Sequence, residues 1–160
     1  MTQIPMSIKG LMLDPISNAP IVVLQDTDER VFLPIWVGVP EANSIALQLE
    51  NVASPRPMTH DLLRSVIETL DAVVERVVIS DLKESTFFAV IHLKTRAGSK
   101  EIDARPSDAL ALALRVSAPV FVEDSVLEHA QKIAPEDTGE DKLKDWLENA
   151  SAEELGKYKM

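Results

Sequence analysis

The stretch Ala109-Leu-Ala-Leu-Ala-Leu114 constrains this chain more than any other. It follows Arg105-Pro106-Ser107-Asp108 and is stopped by Ala118-Pro119, so it reads as a helix, and that helix has no polar face. A helix that is apolar all round in a soluble protein has to be buried. The rest of the chain must wrap it, with a sheet on one side and other helices or a second subunit on the other. At 160 residues and 17.6 kDa the chain is long enough to do so around one core.

The flanking sequence supplies the wrapping. Ile4, Met6 and Ile8 alternate with polar or small residues, 21–24 is a short apolar run, and 31–37 reads as another strand. Turn chemistry at Asp14-Pro15, Ser17-Asn18 and 26–29 separates them, which predicts an antiparallel meander. Pro34 marks its last strand as an edge strand or a bulge. Pro40 suits the first position of a helix carrying Ala42, Ile45, Ala46 and Leu49 on one face. After Ser54-Pro55-Arg56-Pro57, Thr59 reads as the N-cap of a second amphipathic helix carrying Leu62, Leu63, Val66, Ile67 and Leu70. Residues 73–82 and 86–94 predict a hairpin, and 100–103 a third strand beside it. A short strand at 120–122 and a short helix at 124–131 follow the buried helix. We place the domain at 1–132, with no internal repeat. Residues 133–139 read as a linker and 140–160 as an acidic helical extension, with Leu143, Trp146 and Leu147 at helical spacing.

Charge and composition exclude several classes of function. Sixteen basic against 26 acidic residues give −10, of which −4 falls at 133–160. Such a chain repels nucleic acid at long range, so binding it requires a local arginine cluster or metal ions bridging carboxylates to phosphates. With no cysteine there is no disulfide framework, thiolate zinc site or cysteine nucleophile. No apolar run approaches the roughly 18–20 residues of a membrane span. Residues 1–10 lack the layout of a signal peptide, so a cytoplasmic location is expected. No phosphate-binding glycine loop, His-Glu-x-x-His or Gly-x-Ser-x-Gly occurs. The sequence leaves a Ser-His-Asp arrangement open but places no serine on a strained elbow.

Two polar clusters stand at element junctions: Ser54-Pro-Arg56-Pro-Met-Thr59-His60-Asp61 and Glu101-Ile-Asp103-Ala-Arg105-Pro-Ser107-Asp108. Each couples Arg, Pro and a carboxylate just before a helix. A helix start favours anions, and a guanidinium fork beside it makes a phosphate or carboxylate site. The carboxylates Asp61, Asp103 and Asp108 offer oxygen ligands to a hard divalent cation, and His60 offers acid–base chemistry near neutral pH. Each residue also has a structural reading. Asp61, Asp108 and Glu41 are first-turn carboxylates, Thr59 and Ser107 read as caps, and Asp103 with Arg105 reads as one ion pair. Trp36 and Trp146 read as packing anchors.

In their order, four strings resemble the bifunctional nuclease family, earlier described as a domain of unknown function. They are Leu33-Pro-Ile-Trp-Val-Gly-Val-Pro-Glu-Ala42, Pro55-Arg-Pro-Met-Thr-His-Asp-Leu-Leu63, Thr86-Phe-Phe-Ala89 and Ile102-Asp-Ala-Arg-Pro-Ser-Asp-Ala-Leu-Ala-Leu-Ala113. The resemblance implies an α+β fold with a curved, mostly antiparallel sheet packed with helices, self-association as a dimer or trimer, and nuclease activity on DNA and RNA. The expectation is then a metal-dependent nuclease. Its catalytic residues are His60, Asp103 and Arg105, its substrate-binding residues Arg56 and Arg105, and its Mg²⁺ or Mn²⁺ ligands Asp103, Asp108, Glu41 and Asp61. This requires the two clusters to meet in space. The alternative expectation is a non-enzymatic oligomeric regulator that binds a small anion. A third is an interaction module acting through Leu143, Trp146 and Leu147.

Overall fold

The computed structural model describes residues 2–130. The expectations for the linker and the acidic extension, with Leu143, Trp146 and Leu147, lie outside the described residues. In chain order the elements are β1 (Gln3–Leu13), β2 (Pro20–Asp26), β3 (Phe32–Trp36), α1 (Val39–Leu49), α2 (Thr59–Thr69), β4 (Val73–Lys83), β5 (Thr86–Thr95), β6 (Gly98–Ala104), α3 (Pro106–Val116), β7 (Val120–Glu123) and α4 (Asp124–His129). The fold is α+β, with one sheet of seven strands in the order β3-β2-β1-β7-β4-β5-β6.

The meander β1-β2-β3 and the meander β4-β5-β6 are separate antiparallel units. The four-residue strand β7 joins them. It runs antiparallel to β1 (Met6 opposite Val120) and parallel to β4 (Val77 opposite Val120). Because β7 follows α3, the chain must complete both meanders and the buried helix before the sheet closes. Pro34 does sit on an edge strand, as its missing N–H requires. The other edge, β6, is blunted by exposed Lys100, Glu101 and Asp103. Each three-strand unit is followed directly by an 11-residue helix with proline in its first turn, α1 and α3, a parallel that the sequence alone did not reveal.

The helix α3 is buried as its composition demands. Ala109, Leu110, Ala111 and Leu112 are fully enclosed between β4 and β5 on one side and α1 and α2 on the other. Each leucine so buried contributes about 1.5–3 kcal/mol. Asn51 and Asp71 take left-handed conformations just past α1 and α2. The N–H of Val52 then reaches the Leu47 carbonyl, and that of Ala72 reaches Ile67, which closes both helix ends without glycine. Trp36 is the anchor expected of it: its indole N–H donates to the buried Asp14 carboxylate at 3.0 Å.

Two caps differ from expectation. The N-cap of α2 is Met58, and Thr59 is the first helical residue. The Asp61 carboxylate, three residues on, accepts from the Met58 N–H at 3.0 Å, the bond that the third helical residue makes back to the N-cap in a capping box. The N-cap of α3 is Arg105, because Pro106 with its fixed φ takes the first helical position and moves Ser107 to the second, fully buried.

Candidate functional site

Three helix starts converge. Counting from each first helical residue, the third position is a carboxylate every time: Glu41 in α1, Asp61 in α2 and Asp108 in α3. A carboxylate there is favoured by the partial positive charge of the helix end. Here each one is also held by an arginine. Arg105 donates from Nε to Asp108 Oδ2 at 2.9 Å and from Nη2 to Glu41 Oε1 at 2.6 Å, tying α3 to α1. Arg115 donates from Nε to Asp61 Oδ1 at 2.7 Å, and its other nitrogens reach the carbonyls of Ala111 and Ser44, each at 3.0 Å. One buried guanidinium therefore joins all three helices.

His60 lies at the centre, buried, with both ring nitrogens engaged. Nδ1 is 2.7 Å from Ser44 Oγ and Nε2 is 2.9 Å from Asp108 Oδ1. Burial alone pushes the Asp108 carboxyl up, but hydrogen bonds from Arg105 and then His60 hold it below the ordinary carboxylate range. Asp108 is thus an acceptor, and His60 presents Nε2–H to it. In the neutral imidazole this leaves the Nδ1 lone pair facing the Ser44 hydroxyl. Asp61 is also held low, first by the Met58 N–H and then by Arg115. Arg105 is kept firmly protonated by Asp108 and Glu41.

The cluster forms one end of a cavity of about 1160 Å³ between α2 and the β5–β6 hairpin. Glu41, Ser44, His60, Asp103, Arg105 and Asp108 line that end, and the remaining wall is largely aliphatic. Arg105 is the one cationic side chain on the lining among the described residues.

The two sequence clusters do meet, through His60 on Asp108. Arg56 is not brought in. It is exposed in the loop before α2 and is not on the cavity wall, because the chain enters α2 through extended Met58 and leaves Arg56 behind the helix start. Asp103 lies exposed on β6 at the cavity lip, and Arg105 pairs with Asp108 and Glu41 in place of the expected Asp103. The four proposed metal ligands do not form a ready cation cage. Among the described residues no three His, Asp or Glu side chains are grouped to hold a metal ion. The guanidinium of Arg105 stands between Glu41 and Asp108, and Asp61 is turned to Arg115.

Sequence reasoning missed Ser44, Arg115 and Gly38. Arg115 had a signal: it lies two helical turns after Asp108 and so shares its face of α3. Gly38, the N-cap of α1, leaves free the space into which Glu41 folds back. A Cβ there would collide with the Glu41 carboxylate.

The profile of the bifunctional nuclease domain matches residues 22–135. The chain belongs to the bifunctional nuclease domain family. An uncharacterized protein of Mycobacterium tuberculosis is 35% identical over 159 residues, which is 92% of this chain and 95% of the relative. Bifunctional nuclease 1 of Oryza sativa is 25% identical over 105 residues, 64% of this chain but 32% of the rice protein. The matched region contains every member of the cluster, from Gly38 to Arg115. No described helix is long and apolar enough to cross a membrane.

Proposed function

We propose that the domain hydrolyses phosphodiester bonds of DNA or RNA, with the scissile phosphate against Arg105. The observation that carries this reading is the position of Arg105. In a member of this family, the cation on the described cavity lining sits where the starts of α1 and α3 are tied together. Half-exposed, it offers donors to charge developing on phosphate. Asp108 orients His60, whose Nδ1 accepts a proton by way of the Ser44 hydroxyl. Asp103 at the lip orients the attacking water. Among the described residues no three His, Asp or Glu side chains are grouped to hold a metal ion, so no step is routed through one. The test is cleavage of single-stranded DNA and RNA oligonucleotides by wild type and Arg105→Ala, each with EDTA and with Mg²⁺ or Mn²⁺. Cleavage that survives EDTA and falls at least 100-fold in Arg105→Ala supports the proposal. Wild type that cuts under no condition, or a variant cutting at the wild-type rate, refutes it. Cleavage found only with metal returns charge neutralisation to a divalent cation.

A second reading is favoured by the charge balance at the site. Glu41, Asp103 and Asp108 face a single lining arginine, which suits one small anion better than a polyanion. The protein would then be a non-enzymatic regulator, self-associating through exposed Leu62, Val66 and Leu70 of α2. Sedimentation, together with phosphate binding that requires Arg105 and no nucleic-acid affinity, is its expected outcome.

A further inference from the structure

We propose that Ser44, His60 and Asp108 hydrolyse a carboxylic ester whose acyl chain lies in the apolar groove between α2 and the β5–β6 hairpin. Two independent observations meet here. The first is the hydrogen-bonded chain. Ser44 Oγ, His60 and Asp108 follow one another at 2.7 and 2.9 Å. They come from three different helices, which Arg115 and Arg105 hold in fixed relation. A nucleophile, a base and a group orienting the base are the parts an acyl-transfer site needs. The imidazole is turned opposite to the familiar arrangement, with Nδ1 toward the serine and Nε2 toward the carboxylate. The proton accounting is the same, because ionised Asp108 fixes the proton on Nε2 and leaves Nδ1 basic.

The second observation is what lies beyond Ser44. Leu62, Leu63 and Val66 of α2 face Ile91, Leu93 and Ile102 of the hairpin across the cavity. Its volume, about 1160 Å³, is at the upper end of small-molecule sites. Aliphatic walls leading to a polar end fit a substrate with an apolar chain and a reactive head. An uncharged ester enters past Glu41, Asp103 and Asp108 without the repulsion a phosphate meets.

The reaction balances within these residues and water. Ser44 Oγ bonds to the ester carbonyl carbon as its proton passes to His60 Nδ1. Arg105, the cation on the cavity lining, donates to the oxyanion. The carbon–alkoxide bond then breaks, the alkoxide leaves with the proton from His60, and the acyl group stays on Ser44. Water, deprotonated by His60, releases it as the carboxylic acid and restores the hydroxyl. Ser44 and His60 are each under a tenth exposed yet both line the cavity, so bulk water is restricted while the groove remains the path of entry.

The test uses the full chain with p-nitrophenyl acetate, butyrate and octanoate, and with a fluorophosphonate followed by peptide mass spectrometry. The expected result is turnover that rises with acyl length and a single adduct on Ser44. Ser44→Ala loses the adduct and at least 100-fold in turnover while its circular dichroism shows that it remains folded. Leu62→Asp lowers the ratio of octanoate to acetate turnover. Wild type that turns over no ester faster than buffer overturns the proposal. So does an adduct elsewhere, a folded Ser44→Ala variant at the wild-type rate, or a groove occluded by a second copy at every concentration.

Discussion

Arg115→Ala removes the buried guanidinium that joins all three helices of the site. The Arg115 side chain is 4% exposed, so water does not replace what is lost. The Ser44 and Ala111 carbonyls keep the N–H of their own helices but each lose a charged donor at 3.0 Å, a hydrogen bond of about 1.5–3 kcal/mol. The Asp61 carboxylate loses its 2.7 Å partner, but it is 38% exposed and keeps the Met58 N–H, so its share is discounted to about 1 kcal/mol or less. The expected loss is roughly 3–5 kcal/mol, a large fraction of the ~5–15 kcal/mol that holds most domains. Urea unfolding followed by circular dichroism at one protein concentration measures it. Arg115→Lys, which keeps the charge but not the fork, should fall between wild type and alanine. Asp61→Asn should cost about 1 kcal/mol, and the double-mutant cycle should show that Arg115 acts mainly through the two carbonyls. A loss under about 1 kcal/mol in Arg115→Ala, with unchanged denaturant slope, would refute the reading of Arg115 as the pin of the helix cluster.

Leu112→Ala, at a fully buried position, should destabilise by about 2–5 kcal/mol in the same assay, whereas Leu62→Ala on the exposed side of α2 should stay within about 1 kcal/mol. The carboxyls of Asp14, Asp61 and Asp108 are all held below their ordinary range in the folded chain. Their contribution is therefore complete above the ordinary carboxylate pKa and is lost as pH falls through that range toward the lowered values. The urea midpoint should hold steady from about pH 7 to 5 and drop below about pH 4, less steeply in Asp61→Asn; a midpoint that rises on acidification contradicts the assignment. Glu41→Gln frees one side of the Arg105 guanidinium and should tighten inorganic phosphate binding by about fivefold, on the order of 1 kcal/mol, as read by calorimetry. Gly38→Ala, which pushes the same carboxylate aside, should move phosphate affinity in the same direction; opposite shifts in the two variants would break the link.

Local periodicity made most of the fold legible, and the parts it could not reach share a cause. The run from Ala109 to Leu114 announced its own burial, and Pro34 announced its edge. Neither says which strand lies beside which. The strand β7 has four residues and pairs with β1, more than a hundred residues earlier, so no local pattern records its place between the meanders. The site shows the same division. Glu41, His60, Asp61, Arg105 and Asp108 were legible because each stands at a helix start, where polar residues are conspicuous. Ser44 lies inside α1 and Arg115 at the far end of an otherwise apolar helix, so both look like solvent-facing positions until the helices are packed. Arg56 shows the opposite case. Its sequence neighbours join the cluster, but its own position precedes the extended Met58, and the turn into the helix leaves it outside.

The charge arrangement separates the two chemistries the site can support. Asp108 and Glu41 take the Arg105 Nε hydrogen and one Nη2 hydrogen, which leaves the Nη1 hydrogens and one on Nη2 for a ligand, but a phosphate placed there still meets both carboxylates. If it displaces Asp108, it also disturbs the carboxylate that fixes the proton on His60. Productive phosphate binding must therefore spare the Asp108 contact, and loss of the Glu41 charge lowers the repulsion it meets. An ester carbonyl disturbs neither contact, because an oxyanion that forms transiently takes one remaining donor while both ion pairs persist. Removing the Glu41 charge therefore favours phosphodiester chemistry and leaves the Ser44–His60–Asp108 chain untouched. Removing the Asp108 charge damages both reactions, since His60 loses the group that sets its tautomer. Under the proposed readings Glu41 sets the repulsion an anionic substrate meets, and Asp108 sets the proton on His60.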